Sequence, residues 1–346
     1  MLSTEPISHV LRALYADHRL RYPIGALNWT GDDPCAFAVD SPNFGGFVSS
    51  TTATRSSWWK LGQIKASDTI KYRRVSLDDA LTARRAIHDY LAGIERAISL
   101  DGDFTGIEPL KSFNDARSID SGDWGTAIVW GRPAQGNQPE VKYRQGGDDY
   151  LIVEYGQESF DLNHRCRVTA LEKLLHDSSA PDWLKSGLIN TVGGCTSITI
   201  FYDGMNVDRK CLVSHLQSLE EQLGDLSNTK VPCRRFRLPL TFKSAAQEEA
   251  IRRYIQTSRP QAPYLPDNFS FVAKNNALTP EQLKEIYLTG SFMAVIIGFY
   301  AGLACGLPVD PRQRISCPKQ NPSRVYTPAG SVSWGGSCMA IYPVDR

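Results

Sequence analysis

The sequence predicts an α+β protein rich in β-strands, and three patterns support this fold class. Short runs of β-branched and aromatic residues over 150–155 and 196–203 are typical of strands. Helical periodicity over 162–175 and 213–223 follows these runs, and two strands alternating with two helices within about 80 residues indicate a small α+β unit. Roughly the last 55 residues are short strands punctuated by Gly and Pro, which favours a closed β-barrel.

The same patterns divide the chain into four segments. The first is rich in strand and turn signals and ends in a helix, whereas the second is polar and has little periodicity. A small α+β domain and then the β-barrel follow. The predicted boundaries are 1–100 for the N-terminal part, 101–138 for a linker, 139–230 for the α+β domain and 231–346 for the barrel.

The helix that ends the first segment is predicted to begin after Ser76. A serine suits the N-cap position, and Asp78 and Asp79 fall in the first turn, where the helix dipole favours acidic side chains. Arg84 interrupts the apolar stripe of this helix. We expect its aliphatic stem to lie along the stripe with the charged head in water.

Further elements are predicted at the start of the last segment. The alternation of Phe236, Leu238, Leu240 and Phe242 predicts a strand over 236–242. Helical periodicity predicts helices over 247–257 and 279–289.

Composition excludes several classes of partner. The chain has 346 residues, and its 38 basic and 37 acidic side chains leave a net charge of +1, which gives no electrostatic footprint for nucleic acid or an anionic membrane. No apolar run is long enough to span a membrane, and no secretory signal is evident, so we expect a cytoplasmic protein with a small-molecule substrate. A homo-oligomer is compatible with the sequence. The 8 cysteines form no Cys-x-x-Cys pair, so we expect free thiols and no metal site.

Reactive side chains concentrate between residues 307 and 336. Asp310, Arg312, Lys319 and Arg324 lie there on segments that Pro and Gly fold into tight turns. Cations in such loops would hold a carboxylate or a developing oxyanion, and a carboxylate would orient an N–H group. The alternative is a set of structural ion pairs that connect the loops.

Several sequence strings resemble the carboxyltransferase domain of urea carboxylase, also called urea amidolyase, whose family includes Kip-type 5-oxoprolinase subunits. They occur in one order and cover most of the chain outside the linker. The strings at 22–34, 42–47 and 59–65 resemble the end of the first half of that domain, and those at 143–156, 160–168, 263–273, 308–314 and 321–336 resemble its second half.

The resemblance implies cyclophilin-like β-barrels with small α+β units. It also implies transfer of a carboxyl group from carboxybiotin to a urea nitrogen. We predict that the site lies in the last segment. The catalytic candidates are Lys319, Arg312, Asp310 and Tyr326, and the substrate-binding candidates are Arg324, Asn321, Gly298, Tyr300 and Trp334.

The sequence also departs from this family. No biotin carboxylase or carrier part is present, Gly298 stands where urea-using relatives typically carry an Asp, and Trp334 stands where a smaller aliphatic residue is usual. These departures favour a repurposed enzyme that acts without a cofactor on a small polar, carboxylate or amide metabolite, as a lyase, cyclase or hydrolase of specialised metabolism. One alternative is a biotin-dependent carboxyltransferase subunit working with separate biotin carboxylase and carrier proteins. Another is a non-catalytic, Kip-like regulatory binding protein.

Overall fold

The computed structural model describes residues 23–30, 33–38, 48–99, 102, 104–107, 127–157, 160–297 and 302–345. The chain divides into two compact units, of which the first extends to Asn228 and the second begins at Thr229. Both units combine helices with antiparallel sheets, which confirms the α+β fold class. None of the described helices has the length and apolar character that a membrane crossing requires.

The first unit opens with a small antiparallel sheet and two helices. Its strands are β1 (Ala26–Thr30), β2 (Asp33–Ala36) and β3 (Val48–Thr52), in the order β2-β1-β3. A 3-10 turn at Arg55–Ser57 leads into the short helix α1 (Trp58–Leu61), and the long helix α2 covers Leu77–Ser99.

Helix α2 begins where the sequence predicts, but its arginine behaves differently. The Ser76 hydroxyl accepts a hydrogen bond from the backbone N–H of Asp79 at 3.0 Å, as an N-cap residue does. The head of Arg84 is buried rather than hydrated, and its Nη2 lies 2.6 Å from Oδ1 of Asp203. The expectation of a charged head in water was therefore wrong, because a carboxylate from another element neutralises it.

A five-stranded antiparallel sheet forms the centre of the first unit. Its order is β4-β5-β6-β8-β7, and Val129 and Trp130 of β4 pack against the unit's apolar core. Strand β4 lies inside the segment predicted as a linker, because its consecutive apolar residues pair with β5. The strands are β4 (Ile128–Arg132), β5 (Val141–Gly146), β6 (Tyr150–Tyr155), β7 (Leu188–Gly193) and β8 (Ser197–Tyr202).

Three helices complete this unit: α3 (Leu162–Leu175), α4 (Asp182–Gly187) and α5 (Arg209–Leu223). The predicted helices at 162–175 and 213–223 are confirmed, and α5 begins earlier because the Asp208 side chain caps it through the N–H of Cys211. Apolar residues of α3 and α5 share one buried core with β6 and β8. A fully buried ion pair between Arg167 and Glu220, at 2.6 Å, connects the two helices.

The second unit contains helices α6 (Ala245–Thr257), α7 (Asn268–Asn275) and α8 (Pro280–Thr289). The helices predicted over 247–257 and 279–289 are thus confirmed, and α7 was not predicted. Four strands follow, namely β9 (Phe292–Ile297), β10 (Ala304–Pro308), β11 (Val332–Gly335) and β12 (Cys338–Ile341). They form one antiparallel sheet in the order β11-β12-β10-β9.

This sheet is open at both edges among the described residues, where no closed barrel is found. The strand predicted over 236–242 is also wrong, since these residues belong to no helix or strand. Phe236 is 72% exposed and Leu238 is 65% exposed, so the first part of the apolar alternation faces water, whereas Phe242 packs against the ring of Phe269. Alternation creates a strand only when a neighbouring backbone edge accepts its hydrogen bonds, and Pro239 has no N–H to offer.

Candidate functional site

Asp310 and Arg312 form a self-contained pair at the end of β10. The Asp310 carboxylate caps a 3-10 turn over Pro311–Gln313 by accepting from the backbone N–H of Arg312 at 2.9 Å. The Arg312 guanidinium donates to both oxygens of Asp310, with Nη2 at 2.7 Å from Oδ2 and Nε at 3.0 Å from Oδ1. These hydrogen bonds lower the pKa of Asp310 to about 2. Because the Arg312 side chain is 89% exposed, this pair fits the structural alternative, an ion pair in water.

The loop at 319–326 is fixed by tyrosines through its backbone. Tyr254 on α6 donates from Oη to the carbonyl of Pro322 at 2.7 Å, and Tyr264 donates to the carbonyl of Asn321 at 3.1 Å. The two hydroxyls lie 2.8 Å apart, and Arg259 adds a second donor to the Asn321 carbonyl at 3.1 Å. Asn321 therefore contributes its backbone carbonyl to the loop's anchorage.

Arg324 is the arginine of this loop, and its side chain is partly buried. Its Nε donates to Oε1 of Gln320 at 2.7 Å, and the Asn268 amide accepts from its Nη2 when the amide is turned to satisfy both of its polar atoms. Burial lowers the pKa of Arg324. No carboxylate of the described residues forms an ion pair with it. A partly desolvated cation held by neutral amides can accept an anionic ligand, because it keeps an uncompensated charge.

Tyr326 and Lys319 lie on the same loop but make different contacts. The guanidinium of Arg253 lies over the Tyr326 ring, 4.4 Å from its centroid, while its Nε donates to Glu249 at 2.7 Å. Lys319 is exposed and its side chain lies along Gly335 of β11. Burial raises the pKa of the Cys305 thiol to about 11, and the positive charge of Lys319 opposes that rise.

Trp334 belongs to the apolar core of the second unit. It packs against the cluster of Ala273, Leu283 and Ile315, and its indole N–H donates to the hydroxyl of Tyr287. Because its one polar group is already satisfied within the protein, Trp334 serves packing in this structure. The other two predicted binding residues, Gly298 and Tyr300, lie outside the described residues.

The structure thus separates the predicted residues into a solvent-exposed pair at 310–312, a tyrosine-anchored loop at 319–326 and a packed indole. Sequence reasoning did not identify the groups that anchor the loop. Tyr264 and Asn268 lie within the string at 263–273, which was the available signal, and Gln320 belongs to the loop itself. Arg253, Tyr254 and Arg259 become neighbours of the loop only through the fold. The missed residues are Arg253, Tyr254, Arg259, Tyr264, Asn268 and Gln320.

Comparison with known families identifies the class of protein. A family model described as carboxyltransferase domain, subdomain C and D, matches residues 141–346. A second model, for subdomain A and B of that domain, matches residues 8–74. The chain therefore belongs to the carboxyltransferase domain family of urea carboxylases, which confirms the resemblance found in the sequence.

Individual relatives agree with this assignment. The chain is 52% identical over 329 residues to a putative urea carboxylase of Emericella nidulans, a match that covers 94% of this chain and 26% of the relative. It is 31% identical to the urea amidolyase of Saccharomyces cerevisiae over 95% of this chain and 17% of that protein. The crystal structure of the Kluyveromyces lactis urea carboxylase superposes with a TM-score of 0.70 at 29% identity, covering 95% of this chain and 28% of that one. The chain thus spans about a quarter or less of these curated relatives.

Proposed function

We propose that the chain performs the carboxyl-transfer step of a urea carboxylase, which moves a carboxyl group from carboxybiotin to a nitrogen of urea. Membership of the carboxyltransferase family supports the reaction class, and the 52% identical relative named a putative urea carboxylase supports the acceptor. The structural observation that carries the proposal is Arg324. Its partly buried guanidinium, held by the neutral amides of Gln320 and Asn268, fits an anionic carboxyl group.

The residues of the 319–326 loop suit this chemistry. Biotin, when carboxylated on a carrier protein, supplies an activated carboxyl group. In the proposed transfer, a urea nitrogen would form a bond to the carboxyl carbon, the bond from that carbon to the ureido nitrogen would break, and the urea proton would move to the ureido group. Arg324 would hold the carboxylate oxygens, because a guanidinium presents paired N–H donors that match a carboxylate. Lys319 would supply a second cation near developing negative charge.

The other two interpretations receive less support. The unusual Trp334 had favoured a biotin-independent enzyme, but its packing with Tyr287 explains it without a new substrate. A regulatory binding protein could use the same cation to hold an anionic ligand, so the proposal of an enzyme is supported here by the 52% identical relative named a putative urea carboxylase. A cyclophilin-like barrel and the biotin carboxylase and carrier partners remain predictions of this proposal.

The test is a reconstituted transfer assay. The chain is mixed with the biotin carboxylase and biotinylated carrier regions of the Emericella nidulans relative, ATP and labelled bicarbonate, and loss of label from the carrier is followed. We expect the label to leave the carrier quickly only when both this chain and urea are present. Equal rates with and without urea would contradict the proposed acceptor, and equal rates with and without the chain would contradict the proposed reaction.

A further inference from the structure

The turn between β5 and β6 contacts the N-terminal part of the first unit closely. Gly147 in this turn has a φ of +55°, and the methyl group of Thr52 lies 3.1 Å from where its Cβ would stand. A side chain at Gly147 would therefore be strained by its own backbone and would also displace Thr52. Thr52 lies in the region matched by subdomains A and B, whereas the turn lies in the region matched by subdomains C and D.

Polar contacts connect the same two segments. The hydroxyls of Thr52 and Tyr150 lie 2.7 Å apart, and the backbone N–H of Arg55 donates to Oδ1 of Asp148 at 2.9 Å. The Arg55 guanidinium lies 3.7 Å from Oδ2 of Asp149. We call these five residues, Thr52, Arg55, Asp148, Asp149 and Tyr150, the acid latch.

The charges around the acid latch do not balance. Asp148 and Asp149 are 1% and 6% exposed, and Asp203 stands beside them from the end of β8. The cations that face Asp149 are Arg84 from α2, which is bonded to Asp203, and Arg55, whose side chain is 40% exposed. Oδ2 of Asp148 and Nη1 of Arg84 are buried, and neither has a hydrogen-bond partner among the described residues. Three carboxylates thus share two guanidinium groups, which leaves one buried negative charge when all are ionised.

One bound proton would remove this excess charge. Burial, followed by the charge of Asp148, raises the pKa of Asp149 to about 6, while Arg55 and Arg84 oppose the rise and Asp203 adds to it. The neighbouring phenol of Tyr150 remains protonated throughout this range, since burial raises its pKa to about 12. Asp149 is therefore the group of the latch that changes charge near neutral pH.

We propose that the acid latch is a pH-dependent docking surface, on which a proton held by Asp149 keeps residues 52–55 seated on the β5–β6 turn. When that proton is lost, the second buried carboxylate favours opening of the turn to water. The latch would thereby make the connection between the two matched regions of the carboxyltransferase domain sensitive to pH, whatever substrate the domain uses.

The direction of the effect follows from linkage. When the latch is open, Asp149 is hydrated and titrates at its ordinary pKa of 3.8, whereas in the closed latch it titrates at about 6. Closure is therefore strongest below the ordinary pKa and weakens as the pH rises through about 6. From these two values, the closing equilibrium falls about tenfold between pH 5 and pH 7.

The test is amide hydrogen exchange of Arg55 in the full chain, corrected for the intrinsic exchange rate at each pH. In the unaltered protein, we expect protection of this amide to fall about tenfold from pH 5 to pH 7. In Asp149→Asn, which carries no titrating group there, protection should stay constant from pH 5 to pH 7 and lie at or above the level of the unaltered protein at pH 5. The control is Asp182→Asn, which removes a fully exposed carboxylate and should keep the profile of the unaltered protein.

Two results would overturn the proposal: a flat profile in the unaltered protein, or an unchanged profile in Asp149→Asn. If Asp149→Asn does not fold, Asp148→Asn gives the same decision. Its amide oxygen can still accept from the N–H of Arg55, but the charge that raises the pKa of Asp149 is gone. The midpoint of the protection profile must then move to lower pH, and an unmoved midpoint contradicts the latch.

Discussion

The turn at 310–314 and the loop at 319–326 contain the same kinds of side chain, yet the structure treats them differently. Arg312 is exposed to water, and both its backbone N–H and its guanidinium donate to the carboxylate of Asp310. Arg324 is partly buried and bonded by neutral amides. An arginine that follows an aspartate closely in sequence can be neutralised by it, as Arg312 is. A partly buried arginine without a carboxylate partner, such as Arg324, keeps its charge and can bind an anion.

The largest contrast is expected from removing each charge in turn. Arg324→Gln should lower the rate of urea-dependent carboxyl transfer about 100-fold, as loss of one donor to a developing anion does elsewhere. Arg312→Gln removes the same charge from an exposed pair and should leave the rate within about twofold. The rates are measured in the reconstituted assay at saturating carrier. Equal losses in both variants would remove the distinction between the two loops.

A smaller effect is expected from loosening the anchorage of the 319–326 loop. Tyr254→Phe removes the hydroxyl that donates to the Pro322 carbonyl, and should lower the free energy of unfolding by about 1 kcal/mol. Tyr326→Phe is the matched control. It also removes one phenolic hydroxyl, and the ring that lies beneath Arg253 is retained. Urea denaturation of the two variants measures the difference. A loss in Tyr326→Phe as large as that in Tyr254→Phe would argue against anchorage by the Tyr254 hydroxyl.

The sequence predicts local features of this fold better than contacts between segments that are distant along the chain. Helix α3 was predicted to the residue, because its periodicity and the Asp161 cap are local features. Arg324 was singled out from a sequence string, but the hydroxyl of Tyr254 reaches its loop only after α6 has packed, and that of Tyr264 comes from the segment between α6 and α7. The strand prediction for 236–242 was wrong for a related reason, since strand pairing depends on a free sheet edge elsewhere in the fold.

The smallest effect concerns the ionisation of Asp310. Hydrogen bonds from Arg312 hold its pKa at about 2, so any stability from this pair is present above the ordinary carboxyl pKa and is lost as the pH falls towards 2. Arg312→Gln should raise the pKa of Asp310 towards its ordinary value, although the backbone N–H of residue 312 still holds it below that value. High salt should also raise it in the unaltered protein, because the pair is exposed and screened. A carbon NMR titration of the Asp310 carboxyl measures both, and an unmoved midpoint in the variant would contradict the pairing.

The central claim is that Arg324, and not Arg312, receives the carboxyl group. Carboxylation of urea gives allophanate, which joins an amide to a carboxylate and is therefore a direct probe of this site. The measurement is the shift of the side-chain Nε–H NMR signals of both arginines during titration with allophanate at mildly alkaline pH. We expect a saturable shift of the Arg324 signal with the Arg312 signal unmoved. A shift of Arg312 alone, or of neither signal, would contradict binding of the carboxyl group by Arg324.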